Sequence, residues 1–265
     1  IRKRHCETPK FAVIGYGKMG GKELGYASDL DMVYLFDDDS QDATENYTRL
    51  GQRLNSWLSS QTPAGILFET DLRLRPNGDA GLLAVSVDSF RDYQLKNAWV
   101  WEHQALTRAR FCAGDPAVGE RFETIRIEIL RQQRELTKLR EEVIAMRRKM
   151  LDAHASNSES GFDLKQDPGG IIDVEFIVQY LVLGYAHQHP ELTGNLGNIA
   201  LLRIAGELGL IDPQQGAAAG NAYREYRRLQ HAKRLNANPQ ALNDRESLEA
   251  HIVAVNRLWS AIFVT

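Results

Sequence analysis

Residues 11–39 read FAVIGYGKMGGKELGYASDLDMVYLFDDD, and the spacing inside this stretch limits the fold more than any other feature of the chain. Two nucleotide-binding signatures overlap in it. Gly15-x-Gly17-x-x-Gly20 follows the apolar run Phe11–Ile14, as in a dinucleotide-binding turn. Asp29-x-Asp31 sits just beyond Gly20-Gly21, as in a metal-dependent nucleotide site. A dinucleotide fold needs a helix of about ten or more residues after the turn, then a second strand ending in an acid about 20 residues on. Only Gly21–Ser28 separates the turn from the acids here, and it contains Gly25. The acids also precede the apolar run Met32–Phe36 instead of following it. The dinucleotide reading fails on its context.

The second reading uses every part of the stretch. Residues two apart in a strand point to one face, so Asp29 and Asp31 project side by side while Leu30 faces the other way. Two carboxylates this close repel each other unless a cation neutralises them. Mg²⁺ prefers carboxylate oxygens together with substrate phosphates. Asp37-Asp38-Asp39, after the apolar run, read instead as a solvated loop. A third acid is expected from ILFETDLRLRP, read as one strand from Ile66 to Leu74. Its apolar face carries Ile66, Phe68, Leu72 and Leu74, and its other face Glu69, Asp71, Arg73 and Arg75. Two acids and two arginines in a row make a poor solvent ladder but suit a metal-bound triphosphate. Asp71 would complete the metal site and the guanidinium forks would hold phosphate oxygens. The alternative is an ordinary amphipathic edge strand with fortuitous ion pairs. Gly20-Gly21 would let backbone N–H groups approach phosphates closely. Lys18, Lys22 and Ser28 flank that approach, although exposed loop lysines are commonplace.

Composition changes near residue 115. Before it come short β-rich runs, Phe11–Ile14, Met32–Phe36, Ile66–Leu74 and Gly81–Val87, with helices expected over Ala43–Ser60 and Ser89–Ala109. In the first helix Tyr47, Leu50, Leu54 and Trp57 recur at helical spacing. Asp115-Pro116 opens a charged helical stretch to about Asp152, whose seam runs Phe122, Ile125, Ile129, Gln132, Leu136, Leu139, Val143, Met146 and Met150. A helix packed in its own bundle is expected over an intermolecular coiled coil, because apolar helices follow over about Ile171–Gln188, Asn195–Leu208, Gln215–Leu235 and Asp244–Phe263. Asn157–Gly161 reads as a loop. The expected organisation is a mixed α+β domain over 1–114 and an all-α bundle over 115–265.

A chain of 265 residues with 43% hydrophobic and 25% charged residues suits one large or two modest globular domains. The net charge of −3 implies no general attraction to nucleic acid or anionic membrane. No apolar run approaches the roughly 20 residues of a membrane span, and the basic start Ile1-Arg2-Lys3-Arg4 lacks the apolar segment of a signal peptide. Cys6 and Cys112 lie far apart with no C-x-x-C pair, so reduced thiols in a cytoplasmic protein are expected and structural zinc is not. His103 reads as a core histidine, and His187 with His189 as helix-end residues. Asp173 and Glu175 read as acids at a helix start.

The stretch GYGKMGGKELGYASDLDMVYLFDDD resembles the nucleotidyltransferase motif of the glutamine synthetase adenylyltransferase family, a branch of the DNA polymerase β-like superfamily. The likeness continues through LFETDLRLRPNGDAGLL, SFRDYQLKNAWVWEHQALTRARFCAGD and FDLKQDPGGIIDVEFIVQYLVL. It implies a polymerase β-like mixed sheet with helices, followed by the helical bundle. The wording looks like the family's carboxy-terminal copy, which adds AMP, rather than the amino-terminal copy, which removes it. By position, Asp29 and Asp31 match the metal-binding pair, Asp71 the third acid, and Gly20 and Gly21 the glycine pair.

The resemblance implies ATP as substrate, Mg²⁺ with two ions, a tyrosine of glutamine synthetase as acceptor, and a PII-type signal protein as regulator. In the implied chemistry Asp71 accepts the tyrosine proton. Two rival readings stand beside this one. One is a docking module for glutamine synthetase or PII. The other is a uridylyltransferase acting on a signalling protein. No basic stripe with interleaved aromatics marks a nucleic-acid binder.

Overall fold

A computed structural model describes residues 7–26, 28–66, 68–153, 161–236 and 243–264. The chain divides into two compact units, 1–130 and 131–265. In the first unit, β1 (Phe11–Gly15) leads into a single turn of helix, α1 (Gly17–Gly20), and then β2 (Leu30–Phe36). These two strands are antiparallel, with Phe11 opposite Phe36 and Gly15 opposite Met32. α2 (Ala43–Leu58) follows, then a small hairpin of β3 (Gln61–Thr62) and β4 (Gly65–Ile66). β5 (Thr70–Asp71) and β6 (Ala84–Ser86) pair parallel with the two ends of β2, at Leu30–Asp31 and Tyr34–Phe36 respectively. α3 (Val87–Lys96) and α4 (Val100–Leu106) lead to β7 (Arg110–Gly114), which pairs antiparallel with β1 across an irregularity between Val13 and Ile14. α5 (Pro116–Leu130) closes the unit.

Strand alternation explains why this sheet is a core. Phe11, Val13, Leu30, Met32, Tyr34 and Phe36 form one buried cluster with Ala43 and Tyr47 of α2. The Tyr47 ring stacks on Phe36 at 4.9 Å and on Phe11 at 5.9 Å. Its hydroxyl donates to Asp38 at 2.9 Å and accepts from the Lys10 N–H at 3.1 Å, so the buried polar atom is satisfied. Leu50, Leu54 and Leu58 continue this contact face, whereas Trp57 is 74% exposed. Leu58 therefore takes the place that the spacing assigned to Trp57. The alternate residues Ala12, Ile14, Val33 and Leu35 are buried too. α5 packs on β7 and β1, and the rings of Phe90 and Phe122 meet at 5.8 Å.

That packing moves the boundary. The composition break at 115 marks the start of α5, but α5 belongs to the first unit, which ends at Leu130 rather than 114. The seam from Phe122 to Met150 is likewise not one helix, because α5 ends at Leu130 and α6 spans Leu136–Ala153. The expected helix over Ser89–Ala109 is two helices and a turn, with β7 beginning at Arg110. The expected strand Ile66–Leu74 is broken into β4 and β5. A chain turn follows at Leu72–Arg75, where the Arg75 N–H donates to the Leu72 carbonyl at 3.4 Å.

In the second unit, α6 and α7 (Ile171–Tyr185) precede α8 (Asn198–Glu207), α9 (Pro213–Leu235) and α10 (Arg245–Phe263). Every residue of α7 except Glu175 and Tyr185 is buried, as suits a helix that is apolar all round at the centre of a bundle. α6, α8, α9 and α10 all pack against it. Asp173, in its first turn, accepts the Gly169 N–H at 2.6 Å and the Arg147 Nε at 2.5 Å, and both partners of this ion pair are buried. It is a structural pair tying α6 to the start of α7. Most of the expected loop at 157–161 lies outside the described residues, as does Cys6; Cys112 is a free thiol. No described helix is long and apolar enough to cross a membrane.

Candidate active site

The site is built at the start of β2. Its backbone is fixed on both edges there: the Tyr16 N–H donates to the Asp31 carbonyl at 2.8 Å, and the Leu30 N–H donates to the Glu69 carbonyl at 2.8 Å. In the parallel pairing with β5, Asp31 stands opposite Asp71. Paired residues of adjacent strands share a sheet face and lie about 5 Å apart. Asp29, two residues before Asp31, is exposed, and Asp31 is half-buried.

The electrostatics follow from that placement. Burial pushes the Asp31 carboxyl above its usual range, and the neighbouring charges of Asp71 and then Asp29 push it further, while Lys18 and Arg108 oppose them. The Asp71 carboxyl is held below its usual range because Arg73 clasps it. Arg73 Nε donates to both carboxylate oxygens at 3.0 Å, Nη2 to Oδ2 at 2.5 Å, and its own N–H to Oδ1 at 2.9 Å. The Arg73 side chain is itself 75% exposed. Among the described residues no three His, Cys, Asp or Glu side chains already stand as a metal-holding group. The donor chemistry nonetheless fits a hard divalent cation. Asp31 and Asp71 are paired across two strands with Asp29 just ahead of β2, and the part of the Asp31 shift that comes after burial, the charge of Asp71 and Asp29, is repulsion that such a cation would relieve.

The remaining predicted residues occupy definite places. Gly20 packs so closely that a Cβ would collide with the backbone carbonyls of Arg108 and Gly15. At Gly21 a Cβ would stand 2.7 Å from Arg108 Nε. Both glycines thus serve close packing within the chain. Lys18 is near enough to Asp31 to favour its charged form. Lys22 is exposed and has a left-handed backbone, with φ of 59°. Ser28 is buried, and its hydroxyl accepts the Gly25 N–H at 3.1 Å. Glu69 contributes its backbone carbonyl to the β2–β5 ladder while the residue is exposed. Arg75 is folded into its own loop, donating to the Leu72 carbonyl at 2.6 Å and pairing with Asp79 at 3.3 Å, with only 12% of its side chain exposed. His103 is buried, with Nε2 3.0 Å from the Gln94 carbonyl oxygen.

Three residues of the site were missed. Gly17 has φ of 51°, and a Cβ there would collide with the Asp31 carboxylate. The glycine signature therefore makes room for the acid itself. Arg108, in the turn before β7, and Arg110, at the start of β7, reach the glycine turn, Arg108 pairing with Glu23 at 3.0 Å. The TRAR run carries both arginines two apart, but reading residues 89–109 as one helix hid the turn before β7 in which Arg108 lies.

A family model described as glutamate–ammonia ligase adenylyltransferase matches residues 1–125, and one described as GlnD PII-uridylyltransferase matches residues 136–245. Among curated relatives, the bifunctional glutamine synthetase adenylyltransferase/adenylyl-removing enzyme of Aromatoleum aromaticum is 64% identical over 99% of this chain and 28% of its own length. The enzyme of the same name from Nitrosomonas europaea is 62% identical over 91% of this chain and 26% of its own length. That of Chromobacterium violaceum is 56% identical over 99% of the chain and 29% of its own length. The chain thus spans little more than a quarter of the relatives it matches. With identity this high along its whole length, the chain belongs to the glutamate–ammonia ligase adenylyltransferase family.

Proposed function

We propose that this chain is the adenylylating part of a larger enzyme and transfers AMP from ATP to a tyrosine hydroxyl of glutamine synthetase. The observation that carries the reading is the pairing of Asp31 with Asp71, beside Asp29, in a chain whose relatives are named adenylyltransferases. Asp29, Asp31 and Asp71 would hold Mg²⁺, with two ions in the full site. When bound, Mg²⁺ neutralises the carboxylates and the triphosphate and polarises phosphoryl oxygens.

The reaction joins the phenolic oxygen to the α-phosphorus and breaks the bond to the β-phosphate, so pyrophosphate leaves. A phenol has a pKa of about 10 and needs a base near neutral pH. Asp71 is the proposed base, and Arg73 occupies its oxygens. The Arg73 clasp holds the Asp71 carboxyl below its usual range, so the two must part before those oxygens can take another partner. As Arg73 turns to the triphosphate, for which its exposed fork is suited, Asp71 is released. Lys18 and Lys22 lie at the turn that takes the remaining phosphate charge. Positioning and charge neutralisation supply most of the rate.

The experiment is transfer of label from α-³²P-ATP to glutamine synthetase by wild type and by Asp29→Asn with Asp31→Asn. Loss of labelling in the double variant is expected; full labelling rejects the site. The match of residues 136–245 to a PII-uridylyltransferase model favours a second reading, uridylyl transfer to a PII-type protein. Competition between ATP and UTP separates the two.

A further inference from the structure

The glycine turn is held from behind by two arginines to which the proposed chemistry gives no role. Arg110 donates from Nε to the Gly20 carbonyl at 3.2 Å and from Nη2 to the Met19 carbonyl at 3.1 Å. Arg108 meets both members of the glycine pair. Its backbone carbonyl fills the space where Gly20 would carry a Cβ, and its guanidinium fills the space beside Gly21, with Nε and Nη2 at 2.7 and 2.8 Å from where that Cβ would be. Its Nη2 pairs with Glu23 Oε2 at 3.0 Å, and the two side chains are only 11% and 19% exposed. Glu23 belongs to the same turn, its N–H donating to the Lys18 carbonyl at 2.9 Å. A pair this shielded is much less screened than a surface ion pair. The turn is therefore fastened at Met19–Gly20 by Arg110 and at Gly21–Glu23 by Arg108.

We propose that Arg108, pinned by Glu23, is a positioning residue that sets where the Gly20–Gly21 backbone stands relative to the Asp29, Asp31 and Asp71 carboxylates, and thereby sets affinity for the triphosphate rather than for the cation. The inference rests on the reading above, in which the triphosphate lies along that turn. It also explains the glycine pair physically. Any side chain at position 21 pushes the guanidinium off its seat, and any at position 20 collides with the Arg108 and Gly15 carbonyls. The direction of the effect on the cation follows from charge. Arg108 is a positive group close enough to Asp31 to act on it, so its removal does not weaken attraction of a cation to the carboxylates. A residue that merely held the fold would lower cation binding, nucleotide binding and thermal stability together.

The test measures, on this 265-residue chain, binding of Mn²⁺ alone and binding of a non-hydrolysable ATP analogue in the presence of Mn²⁺. The variants are Arg108→Gln, Arg108→Lys, Glu23→Gln, Gly21→Ala and Asp31→Asn. Arg108→Gln is expected to weaken the analogue by about tenfold and leave Mn²⁺ within about threefold. Arg108→Lys, which keeps the charge without the fork, should recover part of the loss, and Glu23→Gln should fall between. Gly21→Ala should mimic Arg108→Gln and add little to it in the double variant, since both disrupt one contact. Arg108→Gln and Glu23→Gln variants that melt near wild type but bind the analogue normally overturn the proposal. So does a proportional loss of Mn²⁺, analogue and melting temperature in both. Asp31→Asn separates the two levels. If it abolishes Mn²⁺ binding while Arg108→Gln changes nothing, only the positioning role fails; if it leaves Mn²⁺ binding intact, the carboxylate reading fails and this inference with it.

Discussion

Asp31 and Asp71 stand opposite each other on neighbouring parallel strands, one half-buried and the other clasped by an exposed arginine. Two anions are thus held side by side by backbone hydrogen bonds, not by attraction for each other. Asp31→Asn removes part of the repulsion and should raise the melting temperature of the metal-free protein slightly while lowering AMP transfer by at least about 10²-fold. A thermal scan and a labelling assay on the same preparation check both signs.

Arg73 competes with cations for Asp71. Arg73→Gln should therefore bind Mn²⁺ more tightly than wild type when no nucleotide is present, by about two- to fivefold, the modest value of an exposed pair. The same variant should bind ATP more weakly. Opposite changes in the two affinities are the expected result of paired titrations; a variant that weakens both assigns Arg73 no competing role.

The pH dependence has a definite sign. The Asp31 carboxyl is raised above its ordinary value of 3.8 by burial first and by Asp71 and Asp29 next. In the window from 3.8 up to the raised folded value, the folded state binds more protons than the unfolded one. Stability of the metal-free protein from this group is full below that window and is lost as pH rises through it. Mg²⁺ should return stability above the window, because it binds the ionised carboxylates of the folded state. Thermal scans from pH 3 to 8 with EDTA and with Mg²⁺ should diverge as pH rises. Curves that stay superimposed contradict the carboxylate site.

In the second unit, Arg147 and Asp173 form a buried pair. Arg147→Met leaves an uncompensated charge and should cost about 3–5 kcal/mol, whereas Arg147→Met with Asp173→Leu should cost much less. Urea unfolding of the two variants measures the difference. Because the pair is structural, AMP transfer per folded molecule should change little in either.

The strands Phe11–Gly15 and Leu30–Phe36 were legible because apolar runs bounded by glycines and acids leave few alternatives, and helices α7 to α10 were legible from long apolar periodicity. The Asp29-x-Asp31 pattern was expected on one strand, but β2 begins at Leu30, so Asp31 lies in the strand and Asp29 just before it. Leu72–Arg75 misled, since alternation of Leu and Arg predicts a strand that hydrogen bonds from Arg75 to the Leu72 and Gly81 carbonyls turn into a loop. β7 was hidden because Arg110–Gly114 carries little β-branched character and is a strand only through pairing with β1. Gly17 entered only through the dinucleotide signature that its context ruled out, and only its contact with Asp31, fixed by tertiary structure, reveals its role. The split of the seam at residues 131–135 was invisible to a heptad count, which tolerates one polar interruption.

The most direct measurement is anomalous scattering from a crystal of the enzyme grown with Mn²⁺ and a non-hydrolysable ATP analogue. A peak bridged by the carboxylates of Asp29, Asp31 and Asp71, with Arg73 turned away from Asp71 toward the phosphates, is the predicted result. A peak elsewhere, or a nucleotide bound with Asp71 still clasped and remote from the ion, contradicts the account.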